Sequence, residues 1–162
     1  LLSTHAADEG SGFSFGRYSM DDVRRMLELE AGDRLIEHDK VFLADGEPCA
    51  FCRDYFGASV AGGEAGLDEL ERYDDSLCRF VYNRSGRRVE WDKVEIDVAA
   101  PDDLPAVFAS QVAPGAGRPL LCIRSVNYDQ NSRPVVFAVE YVDTSVIRYN
   151  LIRQKAVDYQ RQ

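Results

Sequence analysis

The sequence predicts an α+β domain: a largely antiparallel sheet with helices packed on it and an internal pseudo-two-fold duplication. Three observations carry this. The first is a repeat. Asp21-Asp22-Val23, Gly32, a turn at Asp45-Gly46 and Pro48 recur as Asp102-Asp103-Leu104, Gly117, a turn at Asp129-Gln130-Asn131 and Pro134. The offsets are 81 (Asp21 to Asp102), 85 (Gly32 to Gly117) and 86 (Pro48 to Pro134), far longer than the roughly 20–50 residues of a solenoid repeat. One helix–hairpin unit present twice accounts for them. The second observation is the alternation Val89-Glu90-Trp91-Asp92-Lys93-Val94-Glu95-Ile96-Asp97-Val98, the period-two pattern of a strand with one wet face. The third is turn chemistry. Short turn sequences join consecutive apolar runs into hairpins, and hairpins make neighbours antiparallel.

Residues 1–19 are rich in Gly, Ser and acid, with scattered Phe13, Phe15 and Tyr18, and read as a loosely docked arm or linker. Ser19 is an N-cap for a helix over about 20–30, with Asp21 and Asp22 in its first turn, Val23, Met26 and Leu27 on one face, and Gly32 past its end. Leu35–Leu43 is a strand and Asp45-Gly46 its hairpin turn; a second strand runs through Cys49, Phe51 and Tyr55. The Gly- and Ala-rich stretch 57–66 reads as loop, and 67–71 as one helical turn. A helix begins at Asp75 or Ser76, carries Leu77, Phe80 and Val81, and ends at Gly86. After the alternating strand, Asp102-Asp103 opens a second long helix that 114–117 stops. Strands then follow at 119–128, 134–143 and 145–153. Helices connecting the halves are expected on one face of the sheet.

Composition bounds the function. A chain of 162 residues, 45% hydrophobic, suits one domain with a core. Net charge −9 disfavours a phosphate backbone, so direct nucleic-acid binding by this segment is not expected. No apolar stretch reaches membrane-spanning length, and Leu1-Leu2 runs at once into polar residues, unlike a signal peptide. The first residue is Leu rather than Met, which fits a processed product or a segment of a longer chain. Cys49-Ala50-Phe51-Cys52 is formally C-x-x-C, but it sits in a strand, where residues three apart face opposite ways. Cys78 and Cys122 form no second pair and only His5 and His38 add imidazoles, so free thiols, no metal and a cytoplasmic setting are expected.

The ordered set of motifs resembles the UTRA domain. Asp21-Asp22-Val23-Arg24-Arg25-Met26-Leu27-Glu28-Leu29-Glu30-Ala31-Gly32, then Leu35-Ile36 and Leu43-Ala44-Asp45-Gly46-Glu47-Pro48, are similar to its first half. Ser76-Leu77-Cys78-Arg79-Phe80 is similar to its Ser-Leu-Tyr helix start. Gly117 to Arg124, Arg133-Pro134 and Ser145 to Arg153 resemble its later strands. The similarity covers roughly residues 20–155, and it divides the chain into an arm at 1–19, a UTRA-like effector-binding domain at 20–156 and a tail at 157–162. The resemblance implies a chorismate lyase-like fold, a small-molecule effector, a homodimer, no cofactor, and a role in a GntR-type transcription regulator of the HutC branch. DNA would be reached only through a winged helix outside this chain, because residues 1–19 are too few for a three-helix reader.

The resemblance also marks candidate ligand-binding positions. Two basic residues precede the family's Leu-Ala-Asp-Gly turn; here they are Lys40 and Phe42, on one strand face. Lys40 is either a ligand cation or an exposed strand charge. Cys52 stands where the family often has an acid, Cys78 where it often has Tyr, and Val136 at a further acid position. Ser76 either caps its helix or binds an anion there. Glu140, on the face of Val136, is a ligand carboxylate, a solvent-facing acid, or a partner for Arg53, Arg124 or Arg153. Tyr149 matches an aromatic of the last strand, in the core or at the ligand. These positions carry less charge than the family's phosphosugar sites, so a smaller or more apolar effector is expected. Two alternatives stay open: a protein-interaction module without ligand, and a lyase-type enzyme for which Lys40, Arg124 and Glu140 are the only assortment on offer. No catalytic residue is assigned.

Overall fold

The computed structural model describes residues 2–6, 18–73, 75–100, 102, 104, 109 and 118–151. These form strands β1 (Leu2–Ala6), β2 (Leu35–Ala44), β3 (Glu47–Gly57), β4 (Val89–Ala99), β5 (Leu120–Asp129) and β6 (Pro134–Val142), with helices α1 (Met20–Met26), α2 (Glu64–Leu70) and α3 (Leu77–Ser85). All strand pairs are antiparallel in one sheet of order β1-β2-β3-β6-β5-β4.

This order is unchanged when the first three strands are exchanged for the last three, as a duplicated unit requires. The central register agrees. Arg53 lies opposite Val139, its own counterpart at the offset of 86. The pseudo-two-fold therefore passes through that pair, between β3 and β6.

Local chemistry explains the elements. Ser19 Oγ accepts the Asp22 N–H at 3.2 Å, and the Asp22 carboxylate accepts the Ser19 N–H at 2.8 Å. This capping box starts α1 and puts Val23 and Leu27 into the core. Asp45 and Gly46 both take positive φ, 52° and 86°, the signature of a two-residue type I′ hairpin. The β5–β6 turn is built on Asp129. Its Oδ1 accepts the N–H groups of Asn131 (2.9 Å) and Arg133 (3.0 Å), and its Oδ2 accepts Arg87 Nε at 2.7 Å. Trp91 stacks on Tyr128 at 4.1 Å between ring centroids and ties β4 to β5.

Helices cover both faces of the sheet, not the single face expected. One cluster joins Val23 and Leu27 of α1 to Phe51, Tyr55, Phe137 and Val139. The other joins Leu70, Leu77, Phe80 and Val81 of α2 and α3 to Ile36, Phe56 and Val136. The reason is visible in β3 and β6, which are buried at nearly every position and need cover on both sides. Each large apolar side chain fully buried there contributes about 1.5–3 kcal/mol.

Four further differences from expectation follow. Leu2–Ala6, within the stretch read as an arm, adds an edge strand to β2. The stretch 57–66 is a 3-10 turn (Ala58–Ala61) running into α2, because Gly66 lets the helix back onto Ala61, whose carbonyl oxygen would lie 1.6 Å from a Cβ. The last expected strand is turn and irregular over 145–151: the Asp143 carboxylate accepts from Ser145 N–H and the Asp143 carbonyl from Val146 and Ile147, which curls the chain away from the sheet. And β4, expected to have one wet face, is an edge strand with Val94, Ile96 and Val98 42–65% exposed. The helix expected from Asp102 lies outside the described residues except Asp102, Leu104 and Ala109, as do residues 152–162, the tail at 157–162 among them, and most of the arm. Among the described residues no helix is long and apolar enough to cross a membrane.

Candidate functional site

A cavity of about 530 Å³ opens between the sheet and the start of α3, within the roughly 300–1,000 Å³ of ligand pockets. Its floor follows from strand periodicity. Lys40, Cys52, Glu140 and Ile123 stand opposite one another across β2, β3, β6 and β5; His38, Asp54, Ala138 and Ser125 make the next row. The duplication exchanges the two rows. Asp54 corresponds to Glu140 and Cys52 to Ala138 at the offset of 86; Lys40 corresponds to Ser125 and His38 to Ile123 at 85. Tyr73, Asp75, Ser76, Leu77 and Cys78 form the roof, and Asp92 of β4 reaches in from the edge.

Lys40 Nζ lies 2.6 Å from Asp54 Oδ2, and Cys52 Sγ donates to Asp54 Oδ1 at 3.4 Å. Burial works against the Lys40 ammonium, but the Asp54 carboxylate outweighs it and holds the lysine above its ordinary pKa. Burial, reinforced by Lys40, pushes His38 below its usual value against the pull of Asp54 and Asp39, and so favours a neutral imidazole. Burial and then Asp54 push both the Cys52 and the Cys78 thiols up, which keeps them protonated and unreactive. Glu140 is also pushed up, first by burial and further by Asp54 and Asp92, while the Tyr149 hydroxyl, donating to Oε2 at 3.1 Å, and Lys40 act the other way. Tyr149 itself is pushed up to about 12 by burial and the neighbouring Glu140.

The opposite face of the same strands carries a separate buried network. Arg53 donates through Nε and Nη2 to the Asp39 carboxylate, both at 2.6 Å, and its Nη2 lies 3.0 Å from Glu37 Oε1. Tyr55 OH donates to Glu37 Oε2 at 2.6 Å. Alternation separates the two sets, with 38, 40, 52 and 54 on the cavity side and 37, 39, 53 and 55 behind.

The cavity gathers Lys40, Phe42, Cys52, Ser76, Cys78, Val136 and Glu140 from among the sequence-marked positions. Ser76 is the N-cap residue of α3, but its hydroxyl makes no capping bond; Asp75 Oδ1 accepts the Ser76 N–H instead, at 2.7 Å. Tyr149 stands at the rim, in an adjoining groove that shares Phe42 and Glu140. Arg124 requires correction. It lies on the opposite face, beside Tyr18, Met26, Lys93 and Glu95, because its neighbour Ser125 takes the cavity side. Its guanidinium lies 3.5 Å from Asp97, so it does not converge with Lys40 and Glu140. Arg53 is likewise engaged behind the sheet and is no partner for Glu140.

Sequence reading missed His38, Asp54, Asp92 and Asn127 as cavity residues. Two of them carried a signal. His38 and Asp54 each lie two residues from a marked position on the same strand, and Asp54 is the repeat counterpart of Glu140. The four cysteines are free thiols. Among the described residues no cluster of His, Cys, Asp or Glu is placed to hold a metal ion.

Comparison with known proteins adds three findings. The model of the UTRA domain family matches residues 17–148. No curated protein matches the chain. Solved structures do. The ligand-binding domain of a GntR-family transcriptional regulator from Bordetella bronchiseptica is 16% identical with a TM-score of 0.73, over 95% of this chain and 87% of that one. PhnF from Mycobacterium smegmatis is 19% identical with a TM-score of 0.72, over 96% of this chain and 61% of that one. The effector binding domain of the trehalose repressor TreR from Bacillus subtilis is 10% identical with a TM-score of 0.67, over 97% and 96%. At these identities the likeness is one of fold: the antiparallel, chorismate lyase-like α+β sheet.

Proposed function

The chain belongs to the UTRA domain family, and from that premise we propose that it is the effector-sensing and dimerising domain of a cytoplasmic GntR-type transcription regulator of the HutC branch. Residues 20–156 form the sensing domain, 1–19 an arm and 157–162 a tail, and DNA is reached through a winged helix beyond these residues. The observation that carries the reading is the cavity, ligand-sized and lined from both halves of the duplicated sheet, where charged and polar groups converge beside apolar side chains such as Phe42, Leu77 and Val136. The role is binding rather than catalysis, and it needs no cofactor. Lys40, Phe42, Cys52, Ser76, Cys78, Val136, Glu140 and, at the rim, Tyr149 are the ligand-contacting set. The exposed Val94, Ile96 and Val98 on the edge strand β4 support a second copy as the dimer partner.

A thermal-shift screen of sugars, amino acids, organic acids and amines on the 162-residue chain tests the sensing role. A binder raises the melting temperature with concentration, and Val136→Trp, which fills the cavity, abolishes the shift. If no compound raises it, or if the filled variant responds unchanged, the sensing reading is wrong. Sedimentation equilibrium tests the dimer, and a monomer at all concentrations counts against it.

A further inference from the structure

The pseudo-two-fold leaves a charge imbalance in the cavity floor. Asp54 and Glu140 are counterparts, and Asp54 has its cation in Lys40. The counterpart of Lys40 is Ser125, which carries no charge, and among the described residues no Lys or Arg pairs with Glu140. Around the cavity stand the carboxylates of Asp54, Asp75, Asp92 and Glu140 against the ammonium of Lys40, with the His38 imidazole held neutral. Asp54 is answered by Lys40 and Asp75 by Arg79 from outside. Among the described residues Glu140 and Asp92 remain as the negative pole. Phe42 and Tyr149, each about half exposed, present aromatic surface beside Glu140 at the mouth.

We propose that the cavity takes a small organic cation, an amine or guanidinium on an apolar body, with the cationic head on Glu140 and Asp92 at the place a second lysine would fill by symmetry. The inference rests on the sensing reading and narrows it. An anionic effector that took Lys40 from Asp54 would leave a carboxylate with a 6% exposed side chain without its cation, and one that shared the lysine would meet the Glu140 carboxylate two strands over. Stranding a buried charge in this way is strongly unfavourable. A cation instead relieves Glu140 without breaking any pair, and the aromatic rings favour it by cation–π attraction. Tyr149 donates to one Glu140 oxygen and leaves the other for the ligand.

Three matched probes test the charge: phenethylamine, 2-phenylethanol and phenylacetate, with putrescine, agmatine and glucose 6-phosphate as wider arms. Binding to the full chain is read by titration calorimetry and thermal shift. At least one amine or guanidinium should bind, its neutral and anionic analogues more weakly. Glu140→Gln should weaken that binding on the order of tenfold or more, the loss expected of a hydrogen bond to a charged group. Asp92→Asn, on the exposed edge strand, should weaken it severalfold, and it decides the matter if Glu140→Gln does not fold. Arg124→Gln, behind the sheet, should leave it unchanged. If phenylacetate or glucose 6-phosphate binds better than the amines and Val136→Trp abolishes that binding, the cavity is a sensor but the cationic assignment is overturned. Amine binding that survives both carboxylate substitutions overturns it as well. If no probe of either charge binds, the cationic assignment is overturned, while the sensing reading stands or falls on the wider thermal-shift screen.

Discussion

Asp54 and Glu140 hold the same position in the two halves of the chain and face one cavity diagonally across β3 and β6, yet among the described residues only Asp54 has a lysine. A duplicated sheet offers two equivalent carboxylate positions at its axis. Divergence at a single counterpart pair, Lys40 and Ser125, makes one a closed ion pair and leaves the other without a cation among the described residues.

The closed pair should matter for stability. Lys40→Met strands the buried Asp54 carboxylate and is expected to cost about 2–4 kcal/mol by urea unfolding. Adding Asp54→Asn should restore part of the loss, since the cost is mainly an uncompensated charge. An additive double-mutant cycle would show that the two side chains do not act together.

Stability should fall below about pH 6.5 through His38. Burial places the folded pKa under the unfolded 6.5, so the folded protein binds this proton more weakly. The stability this neutral imidazole carries is complete above the unfolded pKa and drains away as pH falls from there through the depressed folded value. His38→Gln should flatten the decline between pH 7.5 and 5 in denaturant midpoints; parallel profiles for the two proteins would dismiss His38 as the cause.

Behind the sheet, Arg53 is held by Asp39 and Glu37 and sits on the pseudo-two-fold. Arg53→Met leaves two buried carboxylates facing each other and should cost about 3–5 kcal/mol. Tyr55→Phe, which removes only the hydroxyl donating to Glu37, should cost about 1–3 kcal/mol. Circular dichroism melts of the two variants should rank in that order.

Gly66→Ala should destabilise by about 1–3 kcal/mol, because its Cβ would lie 1.6 Å from the Ala61 carbonyl oxygen and backbone must move to admit it. An unchanged melting temperature would mean that α2 does not sit this close to the 3-10 turn.

Much of the fold was legible because it is written locally. A positive-φ Asp-Gly pair makes a hairpin wherever it stands, Ser19 with Asp22 caps a helix without outside help, and the repeated order of helix, Gly, turn and Pro announces a duplicated sheet. Much of the site was legible too: period two puts Lys40 with Phe42, and the repeat offset puts Asp54 with Glu140. The offset of 85 that relates β2 to β5, and Lys40 to Ser125, pairs Arg124 with Asp39, which lies behind the sheet, so even the misplaced arginine was decodable once the register was known.

The sequence by itself determined the α+β class, the hairpins, the capped helix and the internal repeat, since each follows from backbone dihedrals and side-chain alternation within a few residues. Only the tertiary structure decided that both sheet faces are covered, that Leu2–Ala6 joins β2, that 145–151 leaves the sheet, and that Asp92 meets Glu140's cavity. These depend on which distant segments bury one another, and burial is a property of the assembled chain.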